Sequence, residues 1–298
     1  MIRRLGGYVG VSYPPPVYLP WTVCWAVGLT ALFSLVTAPV ARWRPDGELA
    51  VTAVTLVVAF LLVRALDDIR DLDYDRRHNP GRPLPSGAVR ERDLGVLIAV
   101  GAAFLLLLNA GRGVALAALA AQMAYTGAVI ALDRAGWPDA DRLWLALAVN
   151  APIQILLSLY VYAGFLRAEH LAPSAAGLLG VAAVTVAALC MELGRKVTRR
   201  PRPHERTYVT ALGVSGTSLA ALAAAVAGTG LVLLAAAPWR PGQGPGWLVL
   251  ASLALPVLAA VRFAAGAARW PLLPTVLYLP VLYCTFLAAA LLSQGAPS

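Results

Sequence analysis

Long apolar stretches alternate with short charged segments along the whole chain. Runs without a charged residue cover 5–41, 49–63, 94–111, 113–132, 143–166, 170–191, 207–239, 241–261 and 270–298. Each is near or above the roughly 20 residues that cross a bilayer as a helix, the second reaching that length by continuing to Leu66. The pattern predicts an all-α, polytopic membrane protein with about nine transmembrane helices in a single domain over 1–298. The first six are expected near 17–38, 49–66 and beyond, 93–109, 114–132, 143–164 and 174–191, and three more follow. Pro14-Pro15-Pro16 reads as a stiff lead-in to the first helix.

Composition agrees with the pattern. Of 298 residues, 59% are hydrophobic and 13% charged, with mean hydropathy +0.72. A soluble domain of this size is less apolar. The net charge of +9 could suggest nucleic acid, but its distribution gives a simpler cause. If the N-terminus faces inward, the outer loops carry only Arg42, Arg44, Arg112, Arg167 and Arg240 of the 24 basic residues. Arg64 lies within the second helix and the others lie inside. That is the positive-inside asymmetry of a membrane protein, and no nucleic-acid partner is expected. The expected location is a bacterial inner membrane, with the polar site facing the cytoplasm. Cys24, Cys190 and Cys284 fall in apolar runs and read as buried free thiols.

Candidate chemistry centres on 67–75, where Asp67, Asp68, Asp71, Asp73 and Asp75 follow directly on the second apolar run. If the helix continues, Asp68, Asp71 and Asp75 share one face, with Asp67 on its edge. Like charges at that spacing repel, so folding alone does not favour them. A divalent cation reverses the argument, and Mg²⁺ is commonly held by one or two carboxylates plus substrate phosphates. The alternative is a solvated acidic face neutralised by Arg64, Arg70, Arg76 and Arg77.

The loop that follows, 76–87, is rich in Arg, Pro and Gly. Its arginines suit an anionic ligand, and the positive-inside rule alone also places arginines here. Diphosphate is expected to meet Arg77, Arg82 and Arg134, together with Arg195 and Lys196 near the end of the sixth helix. Glu192 is the one acid of that helix. It is either a metal ligand or the partner of Lys196. Tyr125 on the fourth helix, and Asn150 and Gln154 around Pro152 on the fifth, are candidate pocket residues; interhelical hydrogen bonds are the alternative. Helices two and six are separated by an even number of crossings, so both charged ends emerge on one face. The sequence has no ATP loop, GxGxxG, metal-spaced His pair or nucleophile elbow.

The run 67–75, followed by Arg82-Pro83-Leu84-Pro85-Ser86-Gly87, resembles the UbiA superfamily of intramembrane prenyltransferases. Its first motif reads NDxxDxxxD, followed by an RPLPSG-like loop. Asp68, Asp71 and Asp75 match, and Asp67 stands where the family usually has Asn. The resemblance implies nine helices around a central cavity open to lipid. It also implies a Mg²⁺-dependent transfer of a prenyl group from an isoprenyl diphosphate to an acceptor, here unidentified, as a step of isoprenoid biosynthesis. Asp68, Asp71 and Asp75 would be the catalytic residues, and Asp67 and Glu192 would join them around the metal. The second motif departs from the family, which has DxxxD or a longer acidic run where this chain has Glu192, Arg195, Lys196 and the basic loop 201–206. A terpene cyclase on the same scaffold, with the prenyl cation captured by its own double bonds, is the rival expectation. A transporter of anionic lipids would show polar residues continuing to the far side.

Overall fold

The computed structural model describes residues 1–37, 43–138, 142–200 and 207–295. These form helices α1 (Ile2–Ser12), α2 (Pro15–Thr37), α3 (Gly47–Arg70), α4 (Leu72–His78), α5 (Glu91–Leu108), α6 (Val114–Arg134), α7 (Leu143–Ala168), α8 (Ala175–Gly194), α9 (Tyr208–Ala236), α10 (Ala254–Ala264) and α11 (Leu272–Gly295). A 3₁₀ segment, Gly244–Leu253, runs directly into α10. Among the described residues there is no strand; a single bridge joins Thr198 and Arg269.

Among the described residues, eight segments are long and apolar enough to cross a membrane: α2, α3, α6, α7, α8, α9, Gly244–Ala264 and α11. The ninth expected helix, α5, is 18 residues long and opens with Glu91, Arg92 and Asp93. It nonetheless runs antiparallel to α3 along most of its length. Asp93 at its start pairs with Arg4 beside the Asp-rich end. At its other end, the Asn109 amide donates to Thr55 of α3 at 3.0 Å. The turn Asn109–Gly113, with positive φ at Gly111 and Gly113, carries the chain on to Glu48, where Arg112 pairs with it.

The expected lead-in is replaced by structure. Residues 2–12 form a helix, and Pro15 and Pro16 lie in the first turn of α2. Proline fits there because the first-turn N–H groups have no partner inside the helix. Leu5, Tyr8 and Val9, at i, i+3 and i+4, form the inward face of α1. They pack on Ala65, Leu72, Leu84, Val89 and Leu94.

Between membrane helices there is little hydrophobic driving force, so close packing by small residues takes its place. Gly228 of α9 lies so near α8 that a Cβ there would sit 2.6 Å from the Ala187 nitrogen. Gly28 of α2 abuts the Tyr283 backbone and side chain on α11 in the same way. Beside this second seam, the Trp25 ring lies 4.9 Å from Phe60 and 6.2 Å from Tyr283. The three cysteines are free thiols; Cys190 is buried as expected, whereas Cys24 is half-buried and Cys284 is exposed.

Candidate active site at the end of α3

Helix α3 carries the Asp-rich run to its own end, and Asp71 is the hinge into α4, with φ −85° and ψ 5°. The break is shallow. Asp71 N–H still donates to the Asp67 carbonyl at 2.8 Å, and Asp75 N–H to the Asp71 carbonyl at 2.9 Å. The expected common face therefore survives the junction. Asp68 and Asp75 are buried on it, while the Asp67 and Asp71 side chains are 38% and 45% exposed.

The two buried carboxylates are not equivalent. Asp75 has both oxygens engaged: Oδ1 accepts from the Asn79 amide at 2.7 Å and Oδ2 from Arg82 Nη1 at 2.5 Å. It anchors the 79–90 loop, which also closes on itself through Ser86 N–H to the Arg82 carbonyl and Val89 N–H to the Pro83 carbonyl. Asp68 Oδ2 accepts from the Tyr8 hydroxyl at 3.0 Å. Its Oδ1 lies 2.8 Å from Arg64 Nη2 and 4.0 Å from Arg82 Nη1. Arg64 meets it as an ion pair without hydrogen-bond geometry, and Arg82 is too far to donate. Oδ1 is thus buried without a hydrogen bond among the described residues, and so is Arg64 Nε.

Arginines neutralise the rest of the cluster. Arg70 reaches Asp67 at 3.2 Å and Asp71 at 3.0 Å, and Asp133 at the end of α6 lies within its electrostatic reach. Burial alone would lower the Arg82 pKa. The hydrogen bond to Asp75 and the charges of Asp75, Asp68 and Asp71 outweigh it, so the shift is upward. One guanidinium thus senses all three carboxylates of the motif.

Among the described residues, no three His, Cys, Asp or Glu side chains converge as a metal-binding group. The donors are nonetheless all carboxylate oxygens. That suits Mg²⁺, which takes one or two carboxylates and completes its shell with water and phosphate. Oδ1 of Asp68, paired in charge with Arg64 but without a hydrogen bond among the described residues, has room for such a partner, because a buried carboxylate oxygen short of donors is costly.

The second charged segment stands at the end of α8. Glu192 pairs with Arg195, at 2.5 Å, and not with Lys196. Arg195 and Lys196 are exposed. Arg199 is tied down by the carbonyls of Ala267 and Phe263. The basic loop 201–206 lies outside the described residues. Arg77 donates to its own helix, at the Asp73 carbonyl, and Arg134 is exposed at the end of α6. The candidate pocket residues all meet backbone: Tyr125 donates to the Val149 carbonyl at 2.8 Å, Asn150 to Ala146 at 2.7 Å, and Gln154 to Val184 of α8 at 3.4 Å. Tyr8 was not among the expected site residues; the i, i+3, i+4 pattern of Leu5, Tyr8 and Val9 was the signal that could have found it.

No family model and no curated protein sequence matches the chain. Among solved structures, the apo structure of a UbiA homolog from Aeropyrum pernix K1 is similar, with a TM-score of 0.63 and 18% identity. The match covers 91% of this chain and 98% of that one. At that identity the likeness is one of fold, and it extends over nearly the whole of both chains. The protein is an all-α, polytopic membrane protein that shares the fold of this UbiA homolog.

Proposed function

We propose that the protein is a Mg²⁺-dependent intramembrane prenyltransferase acting on an isoprenyl diphosphate. The observation that carries this reading is Asp68 Oδ1: a buried carboxylate oxygen without a hydrogen bond, at a membrane helix end, between two arginines. The shared fold with a UbiA homolog supports it.

In the reaction, the bond between C1 of the prenyl chain and the diphosphate oxygen breaks, and its electron pair leaves with the diphosphate. A nucleophilic atom of the acceptor then bonds to C1 and loses a proton. Mg²⁺, when bound, would supply positive charge to the diphosphate oxygens as they gain electrons. Asp68 would hold it, with Asp67 and Asp71 as the accessible neighbours. Tyr8 fixes the Asp68 carboxylate through Oδ2, which leaves Oδ1 as the donor. Asp75 acts indirectly, by holding Arg82 and its loop. Arg82, with its position between Asp68 and Asp75, would turn part of its charge to the phosphate, and exposed Arg77, Arg134, Arg195 and Lys196 would add to the anionic attraction. The apolar interior would take the prenyl chain and keep water from the cationic carbon.

The test is diphosphate release by purified protein in nanodiscs, with geranyl, farnesyl, geranylgeranyl and longer diphosphates, with and without Mg²⁺. Mg²⁺-dependent binding, with turnover once an acceptor is supplied, supports the transferase. Turnover without acceptor, giving a cyclic hydrocarbon or terpene alcohol, would reassign the chemistry to a cyclase. No binding of any diphosphate would refute both.

A further inference from the structure

The end of the molecule opposite Asp68 carries a second polar construction that the proposed chemistry does not use. Glu48 and Asp68 lie twenty residues apart on α3, which at 1.5 Å per residue places them about 30 Å apart. There, Arg112 is buried and saturated. It donates to Glu48 through Nε at 2.8 Å and also through Nη2, to Asn109 and Tyr160 at 2.5 Å, and to Thr52 at 3.3 Å. Glu48 and Arg112 of this network line an open groove of about 760 Å³. Its walls include Val114, Leu166, Leu171 and Pro173, and its rim carries Arg167 and His170.

Two positive features and an imidazole donor converge on this groove. Arg167 is half-exposed, and its nearest acid, Glu48, is 3.8 Å away, beyond a hydrogen bond. The N-terminus of α6 opens at Gly113 without a side-chain cap, so its N–H groups and dipole present positive charge. His170, exposed, ends α7 in the left-handed region, with φ 55°. The Leu171 N–H bonds to the Leu166 carbonyl and the His170 N–H to the Arg167 carbonyl. This is a Schellman turn whose left-handed position is usually glycine. A histidine there costs backbone strain, and that strain sets an imidazole on the rim.

We infer that this groove is a lipid site: Arg167, His170 and the α6 N-terminus take the phosphate of an anionic phospholipid of the leaflet opposite the Asp-rich end, and its chains lie along Val114, Leu166 and Leu171. The volume falls within the range of small-molecule sites, about 300–1,000 Å³. The charge complements an anionic headgroup. Glu48, the one acid among the described residues that line the groove, is already held by Arg112. The inference is independent of the reaction at Asp68.

The experiment is native mass spectrometry of the full chain from micelles carrying phosphatidylglycerol or phosphatidylcholine, paired with thermal midpoints. Two variants serve, Arg167→Gln and His170→Gly. The intact protein is expected to retain phosphatidylglycerol about tenfold over phosphatidylcholine, and each variant to lose most of that preference. His170→Gly should at the same time raise the lipid-free midpoint, because glycine relieves the turn. Retention that is equal for the two lipids, or unchanged in both variants, overturns the site. Stabilisation by inorganic phosphate alone to the same extent overturns the lipid assignment in favour of a free anion.

Discussion

Helix α3 has an arginine–carboxylate cluster at each end, and the two are built on different principles. At Glu48 every guanidinium nitrogen of Arg112 has an acceptor, and the Arg112 side chain is only 4% exposed. At Asp68 the acid is also buried, yet its Oδ1 meets Arg64 Nη2 only as an ion pair at 2.8 Å, and among the described residues neither Oδ1 nor Arg64 Nε has a hydrogen bond. An unmet buried polar group costs about 1–3 kcal/mol. The first cluster avoids that cost and ties α3, α7 and the α5–α6 turn together. The second bears it. A saturated cluster is what a staple needs; an unsaturated one holds capacity for a ligand.

The largest effect should come from removing the charge at the unsaturated end. Asp68→Asn keeps an acceptor for the Tyr8 hydroxyl but removes the anionic donor. Diphosphate release is expected to fall about 10³-fold, with folding kept. Activity within tenfold of the parent protein would remove Asp68 from the chemistry.

The complementary change belongs to the saturated end. Arg112→Met leaves Glu48 charged and largely enclosed, with only the more distant Arg167 as a cation, and breaking such a pair costs up to about 3–5 kcal/mol. Chemical unfolding in detergent should show a drop of that order. Adding Glu48→Gln should recover part of it. A loss below about 1 kcal/mol would mean that the network is ornamental and that the contrast between the ends is false.

These two ends were unequally legible in the sequence. Asp67 to Asp75 stand out because charge is rare in so apolar a chain, and the spacing of Asp68, Asp71 and Asp75 predicts their common face, which α3 and α4 keep. Nothing local pairs Glu48 with Arg112, sixty-four positions apart; only the antiparallel run of α3 and α5 joins them. Tyr8 was hidden for another reason. Its helix is short, and the prolines behind it read as an extended lead-in, although proline equally suits a helix start. The partner of Glu192 was also ambiguous, since i+3 and i+4 both lie on its face, and side-chain geometry alone selects Arg195.

A subtler test asks whether α1 belongs to the site. Tyr8→Phe keeps the ring in its apolar contacts with Ala65 and Leu94 but removes the one hydrogen bond to Asp68 Oδ2. Fixing that carboxylate is worth about 1.5–3 kcal/mol by the usual value of a hydrogen bond to a charged group, at least tenfold in rate. Activity should therefore fall by at least that factor, with the Mg²⁺ concentration for half-activation rising and the thermal midpoint nearly unchanged. A lower midpoint with unchanged Mg²⁺ response would make Tyr8 a packing residue only.

The smallest expected effect sharpens the comparison at the second charged segment. Glu192 and Arg195 form an i, i+3 pair whose side chains are 29% and 52% exposed. Exposed pairs on one helix are worth about 0.3–0.5 kcal/mol, and Glu192 lacks the burial and the orphaned oxygen that single out Asp68. Glu192→Gln should then lower diphosphate release no more than about threefold. If Glu192 instead completes a second metal position, transition-state charge depends on it, and the loss should approach 10²-fold, as for other groups that stabilise developing charge. Measuring the Mg²⁺ dependence of that variant beside Asp68→Asn separates the cases. A shared, steep loss would place both helix ends around one diphosphate, whereas a shallow loss for Glu192 would leave Arg195 free to meet phosphate directly and make α3 the sole carboxylate face of the site.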